Sequence, residues 1–496
     1  MNLNLRFLTY SLIFISASSQ LSAKVLPISK DDNSIVQVKS TVQYPNFIQP
    51  WRYKNPETKR AYGIHVGEGL ILTTTHTLNY STSIEVTKFG TLKNFTAKVV
   101  KMEHDLGLSL IKVEDKDFVL GLNQVSFPNE VFLPSQGLLL EYKEYRNLGE
   151  KKVRSVKLDM DTYSNGYIEL PYVEIQSDEK LEGIGELIVE ESSRIPQGLV
   201  ISFKDSQNSG KMVPSFMIKQ FLDCKTGDSC IPFKGFRFRP LLDKAAREFY
   251  GIKKEEQGVL VAEVYPSHAG LKNSLELEDV ILEVNGYKID PKGYFEHPKY
   301  GKLALSFLFH SNEDFIKKQN VKIPVKLIRN RKVLEFELDL KSFSESSIKI
   351  PFGNTRNKKP IYMIVGGAVF QELSEHYLME FGAQWRARVS KYLLYLNDFH
   401  HIVQKPEEEK VIILTQVLPL TGNQAYHSMH QNVLEKANGI KPKNLNDFRK
   451  ILATSKDEFI LLDFEDGSQI VLKADEIQKL NSEALKTFKI PAAENF

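Results

Sequence analysis

The sequence predicts a mainly β protein, and two observations indicate this class. From residue 34 onward, apolar and polar residues alternate over short segments, which Gly, Pro, Asn or Asp separate. Alternation with a period of two is typical of strands with one buried face, and the frequent turn residues argue against long helices. The 496 residues are too many for a single hydrophobic core, so we expect about three domains.

The composition is that of a globular protein. Hydrophobic residues make up 42% of the chain, charged residues 26%, and the formal net charge is only +3. So small a net charge gives no reason to expect a nucleic-acid partner. No cluster of metal-ligating residues stands out in the sequence, and we predict neither a metal site nor a cofactor.

The N-terminus has the pattern of a secretory signal. Arg6 precedes a short apolar run, and small polar residues follow up to Ala23. The run is too short to span a membrane, so we predict a signal peptide over residues 1–23; the alternative is a buried N-terminal helix. No later stretch approaches 18 uninterrupted apolar residues. We therefore expect an exported protein, periplasmic or secreted, without an integral membrane segment after signal cleavage.

The chain has two cysteines, Cys224 and Cys230. In an oxidising compartment this pair could close a small disulfide loop, and the alternative is two unpaired thiols.

The first domain, residues 34–222, contains a histidine and an aspartate in a suggestive order. A glycine-punctuated strand beginning near Tyr62 ends in His76, and Asp105 opens another apolar strand about thirty residues later. In a serine protease, a histidine is the general base and an aspartate orients its imidazole. Without further information, such a histidine is more often structural, and such an aspartate can simply cap a strand.

Longer motifs around these residues resemble a known family. Pro45-Asn46-Phe47, Leu72-Thr73-Thr74-Thr75-His76 and His104-Asp105-Leu106 are similar to the protease domain of the Deg/HtrA serine endopeptidases. The resemblance is closest to the plant branch that carries a long second PDZ domain. It implies a trypsin-like double β-barrel in which His76 stands at the base position and Asp105 at the orienting acid. We expect these to be inherited positions, still paired by a hydrogen bond.

The family's nucleophile motif, Gly-Asn-Ser-Gly-Gly, is missing. Counting from either flank puts the nucleophile position at Glu186 or Leu187, and a gapped alignment puts it at Ile195. Ser192 and Ser193 lie close by, but two glutamates precede them and no glycine pair follows. We therefore predict a degenerate protease. The alternative is an active endopeptidase of protein quality control that uses Ser193 or Ser192 with His76 and Asp105.

The second domain, residues 231–345, resembles a PDZ domain. Pro266-Ser267-His268-Ala269-Gly270-Leu271 precedes a strand that ends in an Asn285-Gly286 hairpin turn. PDZ domains bind an extended peptide by strand addition, and backbone N–H groups receive its terminal carboxylate. The matching loop and strand are Lys234-Gly235-Phe236-Arg237-Phe238. We expect Lys234 to add positive charge beside the carboxylate and the two Phe side chains to border the pocket, unless they belong to the core.

After a linker at residues 346–359, residues 360–490 resemble the second PDZ domain of the same plant branch. The opening segment from Ile361, and later Asn438-Gly439, carry this similarity, and an insertion over residues 377–410 separates the first two predicted strands. In related proteins this domain contributes to oligomer contacts, so the resemblance implies a homo-oligomer. The predicted partners are unfolded proteins or peptide C-termini.

Overall fold

A computed structural model describes residues 25–30, 32–142, 148–163, 166–225, 230–253, 256–265, 274–311, 314–317, 321–343, 348–353, 355–403 and 409–496. The predicted signal peptide, residues 1–23, lies outside them. The described chain forms two closed β-barrels followed by two domains that each combine a sheet with short helices. The predicted fold class, a trypsin-like double β-barrel followed by PDZ-type domains, is confirmed.

The first barrel closes because its first strand pairs with both the second and the fourth. The strand order is β1-β2-β3-β6-β5-β4. Alternate residues of β1, such as Val36 and Val38, are fully buried inside the barrel. The elements are β1 (Ile35–Val42), β2 (Glu57–Gly67), β3 (Leu70–Thr74), α1 (Thr75–Leu78), β4 (Ser81–Lys88), β5 (Asn94–Glu103), β6 (Leu108–Val113) and α2 (Lys116–Val119).

The second barrel repeats this plan with the order β10-β11-β12-β9-β8-β7. Its closing helix, α3, completely buries Met217, Ile218 and Phe221. Cys224 and Cys230 follow the helix and form a disulfide, with Cα atoms 5.5 Å apart. The elements are β7 (Ser135–Tyr142), β8 (Leu148–Thr162), β9 (Glu169–Gln176), β10 (Leu187–Glu190), β11 (Pro196–Lys204), β12 (Ser209–Pro214) and α3 (Ser215–Asp223).

The first PDZ domain is docked on the second barrel, and its central sheet has the order β14-β15-β16-β20-β21. Phe216 of α3 contacts the rings of Tyr300 and Phe307 across the junction, at centroid distances of 6.4 and 6.3 Å. The elements are β13 (Pro232–Phe233), β14 (Phe236–Pro240), α4 (Lys244–Phe249), β15 (Val259–Val264), β16 (Val280–Val284), β17 (Tyr287–Lys288), β18 (Tyr294–His297), β19 (Gly301–Ala304), α5 (Phe307–His310), α6 (Asp314–Lys317), β20 (Lys322–Arg329), β21 (Lys332–Asp339) and β22 (Lys341–Ser342).

The second PDZ domain is built on a seven-stranded sheet of order β28-β27-β26-β25-β24-β23-β29. Its last strand pairs with the first, so the sheet continues past residue 490, where the predicted domain ends. The insertion forms α8 and α9 and separates the second strand of this domain, β24, from the third, β25, so the prediction that it separates the first two strands is wrong. The elements are β23 (Tyr362–Val365), β24 (Ala368–Glu372), α7 (Glu375–Met379), α8 (Trp385–Arg388), α9 (Lys391–Val403), β25 (Ile412–Val417), β26 (Asn432–Ala437), α10 (Leu445–Thr454), β27 (Phe459–Phe464), β28 (Gln469–Lys473), α11 (Ile477–Phe488) and β29 (Glu494–Asn495). None of the described helices combines the length and apolarity needed to cross a membrane.

Candidate functional site

A cleft of about 430 Å³ lies where the two barrels meet, and His76 is in its wall. His76 lies in α1, the short helix that follows β3, and Thr74 and Gly107 line the same side. The second barrel contributes the loop Glu182–Ile184 and Ser202 of β11. Two barrels facing each other across a cleft is the arrangement in which a trypsin-like site is built, so this is the candidate active site.

Asp105 is almost completely buried, at 1% exposure, and it pairs with a residue of the interdomain linker. Its Oδ1 accepts a hydrogen bond from the Tyr167 backbone N–H at 2.6 Å, and its Oδ2 is bonded to Nη2 of Arg356. The Arg356 guanidinium also lies over the rings of Tyr167 and Phe343, 5.6 and 5.0 Å from their centroids. Both carboxylate oxygens of Asp105 are therefore bonded to groups other than His76.

The predicted hydrogen bond between His76 and Asp105 is wrong for this structure. His76 Nε2 instead lies 3.2 Å from Lys59 Nζ, and Lys59 also donates to the Tyr44 hydroxyl at 2.8 Å. Because an ammonium can only donate, Nε2 is the acceptor, and this is the atom that would take a proton from a nucleophile. Burial and the charge of Lys59 lower the pKa of His76. Both effects oppose formation of the imidazolium ion that general-base catalysis requires.

The loop at residues 182–186, where the nucleophile motif is missing, is held together by hydrogen bonds to Glu186. This residue is only 1% exposed to solvent. Its Oε1 accepts from the backbone N–H groups of Glu182 and Gly183 at 2.8 and 2.9 Å, and its Oε2 accepts from that of Ile184 at 2.7 Å. Gly183 has φ +73°, and a Cβ there would lie 2.8 Å from Ser202 Cα. Backbone donors of this loop, which would face an oxyanion in an active protease, thus already bind a carboxylate.

The other nucleophile candidates lie away from His76. Leu187 is fully buried in β10, and Ser192 and Ser193 belong to the turn after that strand. Glu190 Oε2 accepts from the Ser192 hydroxyl at 2.7 Å and from the Ser193 N–H at 2.6 Å, and the Ser193 hydroxyl accepts from Ile195 N–H at 3.3 Å. These hydrogen bonds hold the Glu190 pKa at about 2. None of these residues lines the cleft that contains His76.

The predicted peptide-binding segment of the first PDZ domain divides into a buried loop and an accessible strand. Lys234 and Gly235 are buried, and Phe236 packs in the core with its ring edge-on to Phe309 at 5.5 Å. Arg237 is exposed and Phe238 is half-buried. β14 pairs with β15 along one edge, and along its other edge no described strand pairs with it. The strand thus keeps an edge suitable for peptide addition, while Phe236 belongs to the core.

Lys234 has a different environment from the one predicted. Its ammonium lies 2.7 Å from Glu169 Oε2, a carboxylate of the second barrel. Burial lowers the pKa of Lys234, and the charge of Glu169 acts against that shift. Lys234 is thus bound to a partner that sequence reasoning missed. Lys59, Arg356 and Glu169 carry no local pattern that would have marked them as site residues.

Comparisons with known proteins agree with the described architecture. A PDZ domain family model matches residues 350–495. The chain is similar to Protease Do-like 2, chloroplastic, of Arabidopsis thaliana, with 23% identity over 476 residues, 93% of this chain and 74% of that protein. It is also similar to Protease Do-like 4, mitochondrial, of the same plant, with 21% identity, 94% of this chain and 85% of that protein. The solved structure of the HtrA-type protease AlgW with tripeptide matches at 14% identity and a TM-score of 0.45, covering 64% of this chain and 96% of that chain.

These relatives align over nearly the whole chain, through the barrels and both PDZ-type domains. Over nearly its whole length, this chain resembles proteases of the Deg/HtrA family.

Proposed function

We propose that this chain is an exported Deg/HtrA pseudoprotease. It binds unfolded or C-terminal peptide segments through its PDZ domains and acts as a chaperone, scaffold or regulator. One observation carries the proposal: each surviving part of the catalytic apparatus is engaged by another group. Arg356 forms an ion pair with Asp105, and Lys59 is hydrogen-bonded to His76. The Glu186 carboxylate accepts hydrogen bonds from the backbone N–H groups of the nucleophile loop.

The chemistry of acyl transfer supports this interpretation. A serine protease needs a nucleophile, a base that accepts its proton, and N–H donors for the developing oxyanion. The candidate nucleophile positions Glu186, Leu187 and Ile195 carry no serine, and loss of the nucleophile alone costs on the order of a millionfold in rate in triad enzymes. The Glu186 carboxylate would in addition repel an oxyanion formed at the same donors.

Peptide binding is the activity that the rest of the fold supports. The open edge of β14 lies next to the half-buried ring of Phe238, so a peptide strand added there would meet both backbone partners and an apolar surface. The Cys224–Cys230 disulfide supports an oxidising compartment, such as a periplasm or the cell exterior. We include a homo-oligomer in the proposal, because the family forms oligomers.

Casein cleavage and labelling by a fluorophosphonate probe test the proposal on the purified protein. We expect no labelling, no cleavage, and binding of unfolded casein that Gly235→Asp weakens. His76→Ala and Ser193→Ala variants serve as controls. Cleavage and labelling that both variants lose would refute the pseudoprotease and establish an active site that uses Ser193.

A further inference from the structure

A carboxylate of the second barrel lies against the buried loop of the first PDZ domain. Glu169, the first residue of β9, directs Oε2 toward Lys234 Nζ at 2.7 Å and accepts from the Ser306 hydroxyl at 2.8 Å. Lys234 Nζ also donates to the Ser306 hydroxyl oxygen at 2.7 Å. We call Lys234 and Ser306 the carboxylate seat. Both donors belong to the PDZ domain, and the carboxylate that they hold belongs to the barrel.

The ring of His310 also links the second barrel to the first PDZ domain, at the junction formed by Glu169 and Lys234. Its Nδ1 bonds the backbone carbonyl of Glu169, and its Nε2 lies 3.1 Å from the Lys234 backbone nitrogen. A carbonyl only accepts, so Nδ1 carries the proton and Nε2 accepts the Lys234 N–H. His310 is fully buried and Lys234 is 7% exposed. In this arrangement a carboxylate of the same chain already occupies the Lys234 ammonium.

We infer that Glu169 is an internal ligand of the first PDZ domain, and that a peptide with a free C-terminal carboxylate binds the seat by displacing it. The inference rests on the proposed peptide-binding function and specifies its ligand class and its regulation. Glu169 and a peptide terminus offer the same chemistry, a carboxylate that accepts charge-assisted hydrogen bonds from an ammonium and a hydroxyl.

The different burial of Glu169 and Lys234 explains why a peptide carboxylate can replace Glu169. The Glu169 side chain is 49% exposed, so water can solvate its carboxylate once it leaves. The buried ammonium of Lys234 needs an anionic partner, because an unpaired buried charge is strongly destabilising. The seat therefore favours replacement of one carboxylate by another over an empty state. The edge of β14 begins at Phe236, two residues after Lys234, and can pair with the backbone of the incoming peptide.

Competition of this kind weakens the apparent affinity for peptide. The apparent dissociation constant equals the intrinsic constant divided by the fraction of molecules in which Glu169 has left the seat. Removing the charge of Glu169 should raise that fraction. Glu169→Gln keeps the shape of the side chain while weakening its bond to the ammonium. Glu174→Gln is the matched control, because Glu174 lies on the same strand and its carboxylate pairs with Lys157 of the same barrel at 3.7 Å.

The experiment measures fluorescence anisotropy of a short fluorescein-labelled peptide ending in valine, with either a free C-terminal carboxylate or an amide. We expect Glu169→Gln to bind the free-acid peptide about tenfold more tightly than the unmodified protein, since hydrogen bonds to charged groups are the strong ones. The amidated peptide should show no such gain. Glu174→Gln should match the unmodified protein, and adding Lys234→Met to Glu169→Gln should abolish the gain.

The possible results distinguish the role of Glu169 as an internal ligand from the proposed peptide-binding function. Equal affinity of Glu169→Gln and the unmodified protein for the free-acid peptide overturns the internal ligand while leaving peptide binding intact. Equal gains in affinity for the free-acid and the amidated peptide also overturn the internal ligand, because the seat then does not distinguish a carboxylate from an amide. Binding of neither peptide by any of the variants overturns the proposed function itself.

Discussion

The pair formed by Asp105 and Arg356 provides a quantitative test of the altered triad. We consider Arg356→Met, which removes the guanidinium and keeps an apolar side chain against Tyr167 and Phe343. Breaking a buried ion pair by removing one partner typically costs about 3–5 kcal/mol. Here the Arg356 side chain is 24% exposed, and Asp105 keeps its hydrogen bond from Tyr167 N–H. Partial access of water therefore reduces the expected loss to about 2–3 kcal/mol.

Thermal unfolding and hydrogen exchange measure this loss. For a double barrel of this size, about 2–3 kcal/mol corresponds to a fall in Tm of roughly 4–12 °C. Exchange should quicken in β6, which follows Asp105, because loss of the guanidinium lets water into the junction. The double variant Arg356→Met/Asp105→Asn should recover at least half of the loss, since no buried carboxylate then lacks the guanidinium.

A matched surface pair serves as the control. Arg386 and Asp398 form an ion pair at 2.8 Å with side chains 55% and 32% exposed, and Arg386→Met should cost less than about 1 kcal/mol. If Arg356→Met is no more costly than Arg386→Met, the linker arginine does not hold Asp105 in solution and the reasoning fails.

Three further predictions follow from individual groups. Glu186→Ala should destabilise the second barrel by about 3 kcal/mol in urea unfolding, because three backbone N–H groups lose their acceptor; a loss under about 1 kcal/mol would contradict the assigned role. Lys59→Met should raise the pKa of His76 toward its ordinary value in an NMR titration, since it removes the neighbouring positive charge, and an unchanged titration would exclude that contact. Burial and the charge of Lys234 lower the pKa of His310 to about 3, so the contribution of the neutral His310 ring to the junction between the second barrel and the first PDZ domain is fully present above pH 6.5 and is lost as pH falls toward 3. An NMR titration should therefore find the His310 ring still neutral at about pH 5.5, and a ring that is protonated at that pH would count against the junction.

The last prediction needs a local readout rather than global stability. Burial and the charge of Asp105 raise the pKa of Glu103 to about 7, so protonation of Glu103 favours the folded state as pH falls from 7 to 4.5. His310 acts with the opposite sign in the same range. The NMR titration of the His310 ring isolates the junction of Glu169, Lys234 and His310 from this compensation.

The sequence was sufficient to predict the fold class, a double β-barrel followed by PDZ-type domains. Alternating burial and turn residues are local signals, so β1 and the hairpin at Asn285-Gly286 appear in the structure where the pattern puts them. The absence of a Ser-Gly-Gly motif was likewise visible in the sequence. The role of Glu186 was not visible, because its hydrogen bonds depend on the left-handed glycine conformations of the folded loop.

Only the tertiary structure decided which groups meet at the two sites. Arg356 lies 251 residues beyond Asp105, and Lys234 lies 65 residues beyond Glu169. Neither distance corresponds to a helical or strand period, so no pattern in the chain connects these residues. Barrel closure, domain docking and the path of the linker bring them together. The fold could be read from local periodicity, whereas the partners of Asp105, His76 and Lys234 follow from long-range packing.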